Sequence, residues 1–164
     1  MIQLLTENIS ALAKILIYEL RTKKLKISFA ESITGGLLSS SLTKEKDASS
    51  IFELGFITYS EKSKKEILNV KDSTLSKEGV YSLATVSEMI DGLKLKSEAE
   101  ILVAVSGVAG PDSSSGHKPG EVFIAIEIKN ITFLYEKKFS GNREMVQLET
   151  VQFIFQEILN NLND

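Results

Sequence analysis

Residues 101–105, Ile-Leu-Val-Ala-Val, form an unbroken apolar run. A strand without polar alternation must be covered on both faces, which calls for a layer of helices on each side of a sheet. The rest of the chain supplies those layers. Leu5, Ile9, Leu12, Leu16 and Leu20 follow a helical stripe, and a β-prone run over 26–31 precedes a helix starting near Thr34. A second strand is expected over Leu54–Tyr59. Ser60 and Ser82 stand where they cap the next two helices, the second carrying Val86, Met89, Ile90 and Leu93 on one face. Strands Val122–Ile128 and Ile131–Phe139 are separated only by Lys129-Asn130, so they must form an antiparallel hairpin, the second strand alternating as an edge strand does. A last helix from about Arg143 lines up Leu148, Val151, Phe155, Leu159 and Leu162. The expected class is α/β: one three-layer α/β/α domain over 1–164, with a mixed, mostly parallel sheet and an antiparallel hairpin in its C-terminal half.

Composition narrows the chemistry. With 43% hydrophobic residues, 164 residues suffice for one full core. A net charge of −3 argues against a nucleic-acid surface. No apolar run reaches membrane-spanning length and the charged N-terminal stretch does not read as a signal peptide, so a cytoplasmic protein is the expectation. No cysteine and one histidine remove thiolate chemistry and His-rich metal sites, so no metal is expected. The reactive groups left are hydroxyls, amines, guanidinium and carboxylates.

The junction Lys26–Gly36, Lys-Ile-Ser-Phe-Ala-Glu-Ser-Ile-Thr-Gly-Gly, places Ser32 between a strand and a helix start. Backbone N–H groups there lack helical partners, and Gly35 and Gly36 allow close approach. Such a turn exposes a nucleophile or holds an oxyanion or other anion; it also reads as a capping serine before a glycine-softened turn. A serine hydroxyl needs a base, and a desolvated lysine can serve. Among Lys62, Lys64 and Lys65, helical phase with Ile67 and Leu68 turns Lys64 inward, although all three also fit a solvated face. The loop Gly107–Gly120 leaves the carboxyl end of the buried strand, where open α/β sheets bind ligands, and Ser106 before it is expected to touch ligand. His117 reads as a loop residue without a nearby carboxylate. Arg143, in the first turn of the last helix behind an Asn142 cap, opposes the helix dipole unless an anion is bound; it also fits as a simple surface arginine.

Taken in order, these segments resemble the CinA C-terminal domain family, whose stand-alone members are nicotinamide-mononucleotide deamidases. The matching residues are Ala30–Gly36, Ser49-Ser50, Gly55–Ser60 with Lys64, Gly107–Pro111 with Lys118-Pro119, and Gly141–Arg143. The resemblance implies a three-layer fold and hydrolysis of the nicotinamide amide to nicotinic acid mononucleotide and ammonia, without metal or organic cofactor. It implies Ser32 as nucleophile, assisted by Lys64 and Tyr59, with Ser50 near that centre and Arg143 on the substrate phosphate. Thr34, Gly35, Gly36 and Ser106 fall in the substrate-binding motifs. The implied partners are a pyridine mononucleotide and a second copy in a homo-oligomer, a dimer by resemblance, with neither nucleic acid nor membrane. The other reading is a non-catalytic nucleotide-binding or competence/damage-related accessory module. Departures from the family pattern are Glu61 for Asn, Asn142 for Asp, serines at 113–115, a residue missing between Pro119 and Gly120, and Gln147 for a basic residue.

Overall fold

Alternation decides how the layers are sorted. In the computed structural model, which describes residues 1–162, five strands pair in the order β2-β1-β3-β4-β5. They are β1 (Ile27–Glu31), β2 (Phe52–Ile57), β3 (Ile101–Gly107), β4 (Glu121–Ile128) and β5 (Ile131–Lys138). β1 runs parallel to both β2 and β3, whereas β3–β4 and β4–β5 are antiparallel. Successive side chains of the apolar run part to opposite faces. Ile101, Val103 and Val105 join one core with helices α1 (Ile2–Lys23), α2 (Leu37–Thr43) and α6 (Arg143–Asn161), while Leu102 and Ala104 join a second core. That second core is closed by α3 (Glu61–Leu68) and α5 (Leu83–Lys94). A short helix α4 (Asp72–Lys77), not expected from the periodicity, joins them.

Caps set the helix starts. Ser60 and Ser63 form a reciprocal capping box on α3, Ser82 caps α5 through Thr85 N–H, and Asn142 caps α6 through Met145 N–H at 2.9 Å. Among the described residues no helix is long and apolar enough to cross a membrane, and no cluster of three His, Cys, Asp or Glu side chains could hold a metal ion.

The order of the strands also locates the site. From β1 the chain steps to β2 on one side, then returns to β3 on the other. The carboxyl ends of β1 and β3 therefore open a crevice at a topological switch point. Ser32 follows β1 there, and the loop from Gly107 follows β3.

Candidate active site

Ser32 is nearly buried, and its N–H donates to the Val105 carbonyl at 3.0 Å, which fixes it beside the end of β3. The turn after it is organised by a residue to which the sequence reading gave no separate role. Glu31 is fully buried and its carboxylate accepts five hydrogen bonds. They come from Thr34 Oγ1 (2.6 Å), Gly36 N–H (3.0 Å), Leu38 N–H (3.0 Å), Ser39 N–H (2.8 Å) and Ser39 Oγ (2.6 Å). The free N–H groups at the start of α2 are thus filled by an anion from the chain itself. Gly35 and Gly36 adopt φ of 58° and 100°, the left-handed backbone that wraps the turn around this carboxylate.

This corrects the expected use of the glycines. Gly35 N–H donates to the Ser32 carbonyl and Gly36 N–H to Glu31, so neither is free for an oxyanion. Thr34 is likewise buried and committed to Glu31. The signal was present in the sequence: an acidic residue at a strand's last position, six before the helix start, has those N–H groups within reach.

Lys64, on α3, has no exposed surface. Its Nζ lies 2.9 Å from Ser32 Oγ and donates to the Thr58 carbonyl at 2.7 Å. Burial pushes its pKa down from 10.5 to about 8, with Glu61 in the first turn of the same helix pulling the other way. An amine that is substantially neutral near pH 8 and touches a serine hydroxyl can take that proton.

Above this pair opens a cavity of about 290 Å³, lined by Ser32, Ile33, Tyr59, Tyr81, residues 107–114 and Arg143. Its size is that of a small-molecule site. Tyr59 stands 62% exposed at the rim. Arg143 is exposed on the same cavity, at the first position of α6. The α6 wall is tied to the serine turn by Gln147, whose Nε2 donates to the Ile33 carbonyl at 2.8 Å.

The loop is more ordered by its own contacts than its composition suggests. Ser114 and His117 exchange backbone hydrogen bonds, and Tyr81 Oη lies 3.1 Å from Ser114 Oγ. His117 does have a carboxylate partner, contrary to the sequence reading: its Nδ1 is 2.9 Å from Glu121 Oε2. The Ser114–His117 turn folds the loop back to the first residue of β4, and the imidazole packs edge-on against Tyr81 and Phe123. His117 and Lys138 hold the Glu121 carboxyl below its usual range.

Two expected residues are placed elsewhere. Ser50 ends a 3₁₀ turn (Ala48–Ser50) ahead of β2, and its hydroxyl donates to the Asp47 carbonyl. Because β2 is parallel to β1 and pairs Phe52 with Ile27, Ser50 sits at the amino ends of the strands, the opposite end of the sheet from Ser32. Ser106 does neighbour Ser32 across the β1–β3 pairing, but it is fully buried, donates to the Val80 carbonyl and does not line the cavity. Strand alternation aims its side chain into the layer below, leaving the loop that follows to meet a ligand.

Residues 9–162 match the CinA C-terminal domain family. A Mycoplasma pneumoniae protein named Protein MG115 homolog is 40% identical, covering 93% of this chain and 98% of its own length. The nicotinamide-nucleotide amidohydrolase PncC of Enterobacter agglomerans is also 40% identical, over 85% of this chain and 87% of that protein. Against the longer CinA-like protein of Petrotoga mobilis, the match spans only 33% of that protein. The fold matches a crystal structure of the competence damage-inducible protein A of Klebsiella pneumoniae with a TM-score of 0.92 at 29% identity, covering 94% of this chain and 97% of that one.

Proposed function

The chain belongs to the CinA C-terminal domain family, and we propose that it hydrolyses the amide of nicotinamide mononucleotide, with Ser32 as nucleophile and Lys64 as base. The observation that carries this is the contact between a buried lysine and a serine hydroxyl, 2.9 Å apart at the floor of a small-molecule cavity. Binding alone requires neither a nucleophile nor a lysine stripped of water. Similarity to a protein named nicotinamide-nucleotide amidohydrolase supports the substrate class.

The reaction runs in two halves. Neutral Lys64 takes the Ser32 proton as Oγ bonds to the amide carbon, and negative charge gathers on the carbonyl oxygen. Gly35 and Gly36 N–H groups are spent elsewhere in the turn. The N–H of Ile33, the residue after the nucleophile and a lining residue of the cavity, takes the oxyanion instead. Lys64 then passes its proton to the leaving nitrogen, the C–N bond breaks, and ammonia departs from an ester on Ser32. Water, deprotonated by the same amine, attacks that ester to release nicotinic acid mononucleotide and restore the hydroxyl. Arg143 binds the 5′-phosphate at the outer end of the cavity, with Tyr59 at the rim beside the reacting end.

Incubation of purified protein with nicotinamide mononucleotide, with ammonia and nicotinic acid mononucleotide measured together, tests the proposal. Stoichiometric release of both supports it. Binding without release makes the chain a nucleotide-binding module and overturns the hydrolase.

A further inference from the structure

Among the described residues, Thr58 Oγ1 is the one buried side-chain oxygen or nitrogen that no hydrogen bond reaches, and Thr58 is fully enclosed. A buried, unpaired hydroxyl is costly, and it stands beside the reacting pair. Thr58 follows directly on β2, and its N–H donates to the Glu31 carbonyl at 2.8 Å. That bond extends the β1–β2 ladder by one residue and sets Thr58 opposite Ser32. Neighbours across a ladder point to the same face, with their strands about 5 Å apart. For Ser32 that face is the one closed by α3 and α5: Ala30, two residues earlier, packs in that core, and Lys64 reaches Ser32 from α3. Thr58 therefore shares with Ser32 the side on which Lys64 arrives, and its own carbonyl already accepts from Lys64 Nζ at 2.7 Å.

The needs of Lys64 change as it works. The amine has two N–H groups and a lone pair, whereas the ammonium has three N–H groups and accepts nothing. Two acceptors are in place, the Thr58 carbonyl and Ser32 Oγ, and the second becomes a weak ester oxygen once Ser32 is acylated. Charged groups on the surrounding elements do not supply a third. Glu61 lies on the same helix, one turn away, and Glu31 spends its carboxylate on α2. Glu88 of α5 accepts from Lys71 N–H and Thr74 Oγ1, while Tyr59, Tyr81, Asp112 and Arg143 stand on the cavity above. We propose that Thr58 is a positioning residue for the base, its hydroxyl taking the third N–H of the Lys64 ammonium while that group holds the Ser32 proton. In the resting pair the hydroxyl does not bond Nζ, and rotation about Cα–Cβ brings it there when the third N–H forms. The proposal rests on Lys64 acting as the base, as in the hydrolase reading above.

A graded series at this position tests it: Thr58→Ser keeps the hydroxyl, Thr58→Cys offers a poorer acceptor, and Thr58→Val keeps the shape with none. In the protein without substrate, Lys64 is titrated by NMR on carbon-13-labelled lysine, its signal identified by its loss in Lys64→Met. The midpoint should fall from about 8 to roughly 7 in Thr58→Val, fall part of the way in Thr58→Cys and stay in Thr58→Ser. With nicotinamide mononucleotide, the kcat/KM profile of Thr58→Val should show the same lower midpoint and a plateau about tenfold down. Its acid limb should match wild type, because the protonated resting enzyme and the transition state lose the same bond. A Lys64 midpoint unmoved in Thr58→Val, or activity lost equally at every pH, makes Thr58 a packing residue and overturns the proposal. The titration needs no turnover, so a chain that leaves the mononucleotide intact overturns the hydrolase without touching this measurement.

Discussion

The wall of the cavity that carries Ser32 differs from the wall made by residues 107–114 and Arg143 in how much the fold fixes it. On the first, short internal hydrogen bonds hold the reacting pair and its turn: five donors converge on Glu31, and Lys64 is wedged between Ser32 and the Thr58 carbonyl. The second holds together through a two-residue bridge, a Tyr81–Ser114 contact and a partly exposed His117–Glu121 pair, while Arg143 projects from a helix end. Reaction demands atoms held to a fraction of an ångström, whereas reading a phosphate or ribose tolerates adjustment. In the proposed hydrolase, chemistry therefore sits on the rigid wall and substrate fit on the adaptable one.

Damage to the rigid wall should cost most. Ser32→Ala and Lys64→Met should each lower kcat by roughly a thousandfold or more, with substrate still bound, while Lys62→Met on the solvated face stays close to wild type. Equal loss from Lys62→Met and Lys64→Met would erase the distinction between the walls. Lys64→Met should also gain stability. The folded state holds Lys64 at a pKa of about 8, against 10.5 when free, so below pH 8 the buried ammonium costs on the order of 3 kcal/mol. That cost fades as the pH rises from about 8 to 10.5. The melting advantage of Lys64→Met over wild type should thus be greatest at pH 7 and vanish near pH 10.5.

Glu31→Gln comes next. Its amide nitrogen must face donors, leaving at least one N–H or hydroxyl unpaired, and a loss of about 3 kcal/mol is expected in chemical denaturation. A melt within about 0.5 kcal/mol of wild type would mean that the turn is held by other contacts.

Much of this contrast was legible in the sequence because it rests on periodicity. The unbroken run 101–105 demanded two helical layers, the two-residue link at Lys129-Asn130 demanded a hairpin, and helical phase with Leu68 put Lys64 inside. What escaped depends on pairing across space. Glu31 looked like one more strand residue until the turn folded back on it. His117 found Glu121 only because residues 114–117 reverse the loop. Ser50 was assigned to the centre by motif, yet the parallel register of β2 carries it to the far end of the sheet.

The softer wall should give smaller effects. Arg143→Ala should lower kcat/KM for the mononucleotide roughly ten- to a hundredfold, mainly through KM, from loss of a charge-assisted bond. Activity on the phosphate-free riboside should hardly change; equal losses on both would remove Arg143 from the phosphate. Glu61→Gln should act least and in the opposite sense. Removing the carboxylate that raises the Lys64 pKa should shift the rate profile to lower pH and increase kcat/KM slightly at pH 7.

The central claim is that buried Lys64, in its neutral form, deprotonates Ser32, and the pH dependence of kcat/KM for the wild type tests it most directly. Because the active form has lost a proton, kcat/KM should rise with pH, pass through a single ionisation near 8 and level off above it. A rate that is flat through pH 8, or one that falls there, would contradict the account.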